Sequence, residues 1–416
     1  MTPDGWRMAP LSEVAHVNPP RPLQRGAPAP FVDMASLPVD RPTVGGVTVR
    51  EFTGSGSRFR NGDTLFARIT PCAENGKSAL VDLLPDGAVG FGSTEFIVLG
   101  PREGGLVAEY LYYVATSAPV RSYAISKMEG SSGRQRVPAR VFSEITVGVP
   151  PPDEQHQIAA TLQAVDDALV AGEAVVEQLL TARAALTEDL LHRGPPEARH
   201  AVRDSEVGPV PSGWDLVRLG DLIEDGPTNG LYRPQHDYGS GVPIIRIDAF
   251  SNGDVVDVTQ LKRLRISDKD ARPYLLQPSD IVINRVNSLS HLAKVGFVGR
   301  VDEDTVFESN MMRLRLNGAR CSPRFGFLVL ASPLARSQLL RHAKQAIAQA
   351  SINQQDVKGV LVPLPPLAEQ HAIVDAVGAV TDRLDAERAV VAERRLLKAA
   401  LADVLLSGRV RVRDAA

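Results

Sequence analysis

Several short stretches of this 416-residue chain have residue types that could do chemistry, and each fails on its spacing. Asn18-Pro19-Pro20 matches the first three residues of the Asn-Pro-Pro-aromatic loop of amino-methyltransferases. The fourth residue is Arg21, so the aromatic that would stack on a target base is missing. No glycine-rich strand–loop–helix element for a methyl donor lies nearby. Asn75-Gly76-Lys77-Ser78 mimics the end of a phosphate-binding loop, but its leading glycine would fall at Pro71. The Gly/Ser clusters at 54–57 and 130–133 read as turns rather than nucleophile elbows. Eight histidines show no metal-ligand spacing, and no acidic pair is followed by the Glu-x-Lys of a nuclease centre. An autonomous enzyme is therefore disfavoured.

What remains is recognition. Arginine can pair bidentately with guanine, and Asn or Gln with adenine; lysine, serine and backbone amides hold phosphates. The first half offers Arg68, Lys77, Arg134, Gln135 and Arg136 for such contacts. The second offers Arg246, Asn284, Arg285, Asn287, Lys294, Asn310, Asn353 and Gln354. Taken singly, each reads first as an ordinary surface side chain. Their weight comes from the elements that would carry them.

Those elements are duplicated. Residues 147–158 read VGVPPPDEQHQI and residues 362–373 read VPLPPLAEQHAI, at a constant offset of 215 that holds without a gap to Leu190 and Leu405. Upstream, Ser117 and Arg121 recur as Ser332 and Arg336. PDGWRMAPLSEV at 3–14 is echoed by PSGWDLVRLGDL at 211–222, GDTLFARI at 62–69 by SDIVINRV at 279–286, and FGST at 91–94 by FESN at 307–310. A period this long means duplicated domains. Short β-branched runs between turn residues, such as DTLFARI, GFGSTEFIVL, VPIIRI, DIVINRV and VGFVGRV, predict strands. AEYLYYVATS and FGFLVLASPLARSQLLRHA predict interleaved helices.

Each half closes in a different texture. Proline is absent from 153 to 194, and Asp153 can cap a helix whose first turn carries Glu154. Leu162, Leu169, Val176 and Leu190 fill one heptad position, and Ile158, Val165, Leu179 and Leu186 the other, with Gly172 and Arg183 as interruptions. The second copy has Val377, Leu384, Val391 and Leu405 with Ile373, Val380 and Leu401, interrupted by Glu387, Arg394 and Lys398. Two narrow seams in one chain predict that the helices pack on each other. About 40 residues make a rod of about 60 Å. His156 and His371 recur at equivalent helix starts, where partner contact and local packing or capping are both open. Glu154, Gln155, His156, Glu369, Gln370 and His371 are accordingly candidates for docking a partner.

The expected architecture is α+β: two β-rich domains joined by two long helices. Domain 1 spans 1–149, its helix 150–193, a linker 194–210, domain 2 211–363, its helix 364–408 and a tail 409–416. The net charge of −3 neither supports nor excludes DNA binding. Residues 150–193 hold 2 basic and 8 acidic residues, whereas 1–149 hold 15 and 14, and 194–363 hold 21 and 19. Cys72 and Cys321 fall in different halves and read as free thiols of a reducing compartment. No apolar run is long enough for a membrane span and no secretion pattern opens the chain, so a cytoplasmic protein is expected.

Two variable domains, each followed by Pro-rich Glu-Gln text at Pro150–Ile158 and Pro365–Ile373 and a long helix, resemble the specificity subunits of type I restriction–modification systems. The Gly-Trp openings at 5–6 and 213–214 and LLSGRVRV at 405–412 carry the same resemblance, which covers nearly the whole chain. It implies a subunit without catalysis, whose two target-recognition domains each read half of a split site in double-stranded DNA. It implies antiparallel pairing of the helices, an internal pseudo-two-fold, and docking of two methyltransferase subunits. A restriction/translocase subunit can join. S-adenosylmethionine, and ATP with magnesium, would be bound by those partners rather than by this chain. The competing reading is a protein–protein interaction scaffold on a coiled coil with no DNA role.

Overall fold

The computed structural model describes residues 4–131, 133–345 and 349–412; the last residues of the 409–416 tail lie outside them. The chain divides into two compact units, residues 1–176 with 386–416, and residues 177–385. Both long helices are divided by this boundary, so each unit combines one β-rich domain with a piece of each helix.

In the first unit an antiparallel sheet runs in the order Ala15–Val17, Phe96–Pro101, Thr64–Ala67, Ser78–Leu80. A second sheet runs Thr48–Glu51, Pro28–Val32, Gly90–Gly92, Ser57–Phe59. Alternation along Thr64–Ala67 divides the core between two faces. Leu65 and Ala67 face the second sheet with Val32, Phe59 and Val98. Phe66 faces helix Ala108–Thr116 and packs with Ile97, Tyr110, Phe142, Ile158, Leu162 and Leu405. The stretch GFGSTEFIVL thus forms two strands in different sheets, turned at Ser93-Thr94-Glu95.

The second unit repeats this plan. Its larger sheet runs Ile223–Asn229, Met311–Leu316, Ile281–Asn284, Val295–Phe297, Asp254–Val255. Tyr238–Ile245 pairs with Val306–Phe307 in parallel, as Pro28–Val32 does with Gly90–Gly92. The apolar run 325–343 breaks at Ser332-Pro333 into helices Pro323–Ala331 and Pro333–Arg341, because proline has no N–H to continue the ladder. The ladders also correct one correspondence. Ala67 stands opposite Phe96 and Asn284 opposite Met311. Glu95 is therefore matched by Asn310, and the echo of FGST in FESN is one residue out of register.

The long helices span Pro152–Arg193 and Leu367–Leu406. Pro152 opens the first, so Asp153 lies inside the first turn instead of capping it. Its charge still favours the helix N-terminus. In the first unit the helices run antiparallel: Ile158 and Leu162 pack with Leu401 and Leu405, and Gly172 lies against Val391. Two polar interruptions of the second seam find partners on the first helix. Lys398 pairs with buried Asp166, and Arg394 donates to the Ala168 carbonyl at 3.0 Å. Gly172 permits the approach, since a Cβ there would lie 2.8 Å from Val391 Cγ2. In the second unit Leu186, Leu190 and Leu191 share a core with Ile373 and Val377, and Arg183 pairs with Asp254 at 3.0 Å.

Candidate nucleic-acid interface

The central strand of each domain ends in an arginine held on both sides. In the first unit Arg68 N–H donates to Glu95 C=O (2.9 Å) and Val137 N–H donates to Arg68 C=O (2.8 Å). In the second, Arg285 N–H donates to Asn310 C=O (2.8 Å) and Ile352 N–H donates to Arg285 C=O (2.9 Å). Three chain segments meet at this strand exit, bringing Arg68, Gln135 and Arg136 together. Arg136 is engaged there: its guanidinium grips Glu95 through contacts of 2.7–3.0 Å. That hydrogen bonding raises the guanidinium pKa above its ordinary value. Arg134 is exposed beside it.

Lys77 and Lys294 are also equivalent. Lys77 C=O accepts from Ala67 N–H at 3.0 Å and Lys294 C=O from Asn284 N–H at 2.9 Å. The residue before each has positive φ, +86° at Gly76 and +60° at Ala293. Lys77 donates to the Met34 carbonyl at 2.9 Å. The phosphate-loop look of Asn75-Gly76-Lys77-Ser78 is thus a hairpin tip. The Asn18-Pro19-Pro20-Arg21 stretch is equally structural: Asn18 Oδ1 accepts from Val98 N–H at 2.9 Å, and Arg21 pairs with buried Asp63 at 2.6 Å.

The remaining candidates of the second unit separate. Arg246 lies 3.8 Å from Asp248 and 3.9 Å from Glu308. Asn287 and Lys294 line an open pocket with His291, Asp248 and Asp257. Asn310 is half-buried at the strand exit. Asn284 is fully buried, so its side chain faces the interior and not a duplex. Asn353 is the N-cap of helix Gln354–Lys358, its side chain accepting from Gln355 and Asp356 N–H while the Asp356 carboxylate accepts from Asn353 N–H. Gln354, the first residue of that helix, is exposed. The Asn-x-x-Asp spacing is a capping-box pattern that was readable from sequence.

The Glu-Gln-His text at the helix starts turns mostly inward. Glu154 accepts from Trp6 Nε1 at 3.0 Å and Glu369 from Trp214 Nε1 at 2.9 Å. Arg411 completes the first cluster at 2.6 Å and His200 the second at 2.9 Å. Burial raises the Glu154 pKa, but the bonds from Arg411 and Trp6 outweigh it and hold the carboxyl below the usual range. Gln155 accepts from Val107 N–H (2.8 Å) and donates to the Gly105 and Pro150 carbonyls (3.2 and 3.0 Å). Gln370 repeats this with Ser322 N–H (2.7 Å) and the Arg320 and Pro365 carbonyls (3.1 and 2.9 Å). Of the six docking candidates, four are thus committed within their own units, while His156 and His371 are exposed.

Two positions that hold the candidate site in shape lie outside the residues singled out from the sequence. Arg121 donates to the Glu74 carbonyl at 3.2 Å, and Arg336 to the Leu289 and Ser290 carbonyls at 3.2 and 2.9 Å. Each pins the hairpin tip leading to Lys77 or Lys294. Their recurrence at offset 215 was the available clue. Among the described residues no His/Cys/Asp/Glu group could hold a metal and no helix is long and apolar enough to cross a membrane. Cys72 and Cys321 are free, and burial pushes the Cys321 thiol up to about 12.

The chain is similar to named specificity subunits. It is 23% identical over 310 residues to the type I restriction enzyme MjaVIII specificity subunit of Methanocaldococcus jannaschii, covering 73% of this chain and 71% of that protein. It is 32% identical over 165 residues to the EcoEI specificity subunit of Escherichia coli, covering 38% and 27%. To the EcoKI specificity subunit of E. coli K12 it is 24% identical over 282 residues, covering 67% and 59%. The chain spans from about a quarter to under three quarters of the length of such relatives. In fold it resembles a chain from a solved type I R-M system, with a TM-score of 0.58 at 20% identity over 99% of this chain and all of that one. It also resembles the S subunit of a type I restriction-modification system from M. genitalium, with a TM-score of 0.53 at 13% identity over 96% of both chains. The family model for the type I restriction modification DNA specificity domain matches twice, at residues 3–178 and 211–393. Together these matches cover most of the sequence, and the chain belongs to the type I restriction modification DNA specificity family.

Proposed function

We propose that this chain is the DNA-recognition subunit of a type I restriction–modification complex and reads a bipartite site in double-stranded DNA. Each β-rich domain takes one half-site, and the paired helices set the spacer between them. Two methyltransferase subunits dock against equivalent surfaces of the duplicated chain, as matched contacts on a two-fold require; the exposed His156 and His371 suit that role. A restriction/translocase subunit joins the assembly. S-adenosylmethionine, and ATP with magnesium, are cofactors of those partners.

The observation that carries this reading is the double match to a DNA specificity domain, one copy in each half. In each copy the same strand exit presents an arginine amid side chains that differ. The test is to replace residues 1–149 with the corresponding domain of another specificity subunit and map methylation by sequencing. One half of the modified motif should change and the other persist. A change in both halves would refute the two-reader model, and co-purification without any selection of DNA sequence would favour the scaffold reading.

A further inference from the structure

The geometry points to a division of labour at the two strand exits: Arg68 and Arg285 are matched phosphate anchors, and the residues on neighbouring rungs read bases. The inference rests on the DNA-reading role proposed above and specifies how that role is divided among residues.

Arg68 and Arg285 occupy the same place in the duplicated fold, with the same two backbone hydrogen bonds. In both, Nε is buried without a hydrogen-bond partner in the protein. Among the described residues neither guanidinium has an ion-pair partner, and Arg285 makes one side-chain hydrogen bond, to the Ser309 carbonyl at 3.1 Å. In the first unit two other nearby cations are already engaged, Arg136 by Glu95 and Lys77 by the Met34 carbonyl. A half-buried guanidinium without an anion is an unfavourable arrangement. A phosphate supplies a charged, bidentate acceptor that suits the planar fork.

The surroundings of the two arginines do not match. Glu95 is replaced by Asn310, Gln135 by Ala350 and Arg136 by Ser351. Two different half-sites share their phosphate backbone and differ in their bases. A residue kept in both copies therefore suits the shared part, since phosphate contacts position a protein without carrying sequence information. Positions that diverge suit base edges: Asn310 in one copy and Gln135 in the other each offer an amide, suited to adenine, that the opposite copy lacks.

The test uses the full chain assembled with its methyltransferase subunits and a pool of randomised 40-bp duplexes. Arg68→Ala and Arg285→Ala are compared with Asn310→Ala and Gln135→Ala, reading both the selected motif and the salt dependence of binding. Each arginine variant should weaken binding to all duplexes alike, lower the slope of log K against log salt by about 0.9, and leave the motif intact. Asn310→Ala should relax the motif in one half only. Arg68→Lys and Arg285→Lys, which keep the charge and serve if the alanine variants misfold, should retain the slope. Relaxation at a single base position by either arginine variant, or an unchanged slope, overturns the anchor assignment. If the unmutated assembly selects no motif, the DNA-reading role itself fails instead.

Discussion

Replacing Gln370 with alanine separates a clamp inside the fold from a surface that docks partners. Gln370 is 0% exposed and ties three backbone groups, Ser322 N–H, Arg320 C=O and Pro365 C=O, to the start of the second long helix. A hydrogen bond contributes about 0.5–1.5 kcal/mol net, and a buried group left unmade costs about 1–3 kcal/mol. Three bonds lost together, with partial access of water to the cavity, should destabilise the second unit by roughly 2–4 kcal/mol. For a body of this size that lowers the melting temperature by roughly 5–15 °C. His371, next in sequence and exposed, should tolerate alanine with a change within about 0.5 kcal/mol. The assay is thermal and urea unfolding of the isolated chain, with hydrogen exchange to localise the loss to residues 177–385. Gln155→Ala should give the mirror result in the first unit. A Gln370→Ala chain that melts like the unmutated protein yet fails to bind a methyltransferase subunit would refute the clamp and restore the docking role.

Other perturbations probe the helices, the charges and the hairpin tips. Gly172→Ala should gain about 1 kcal/mol of helix propensity but lose more to overpacking against Val391, for a net destabilisation of about 1–2 kcal/mol seen in chemical denaturation; a more stable variant would refute the close approach. Glu154 has a folded pKa held below its ordinary value, so its contribution is present above about pH 4.5 and lost as pH falls through the folded value. Glu154→Gln should flatten that acid limb of the stability curve, and an unchanged limb would refute the assignment. Arg336→Ala should increase exchange of the backbone amides at residues 288–293 with little change elsewhere. A four-residue insertion beside Gly172, with a matching one opposite it, adds about 6 Å to each helix; methylome sequencing should show a spacer longer by about one to two base pairs.

The duplication was legible in the sequence because its buried clamps are made by side chains. Trp6 with Glu154, Trp214 with Glu369, and the two glutamines repeat as text, the Glu-Gln pairs at the constant offset of 215. The partners of those glutamines were not legible. They are backbone groups, which any residue supplies, two of the three for each glutamine about 50 residues upstream. The strand domains were harder for a related reason. Their equivalence lies in ladder register, and the offset between copies drifts from 217 at Ala67 and Asn284 to 215 at Phe96 and Met311. Sequence comparison therefore found Arg68 and Arg285 in their matched segments but paired FGST with FESN one residue out. It also could not show that Arg136 is occupied by Glu95, a contact across 41 residues fixed only when two sheet edges meet. Asn284 looked polar enough for a surface, but its place on the central strand buries it.

The two units share their clamps but not the side chain that completes each one. After each long helix a glycine with positive φ, Gly408 at +70° and Gly194 at +78°, turns the chain back. In the first unit this brings Arg411 to Glu154; in the second it brings His200 to Glu369. The duplicated design thus conserves the tryptophan–carboxylate pair and leaves the third position free to diverge. That matches what the strand exits show, where Arg68 and Arg285 persist while their neighbours change. In both places the invariant group is one that a fold or a shared ligand requires twice. At the clamp the variable group meets the same carboxylate in both copies, Glu154 or Glu369, and either a guanidinium or an imidazole can close it; at the strand exit the variable side chains stand around one matched arginine.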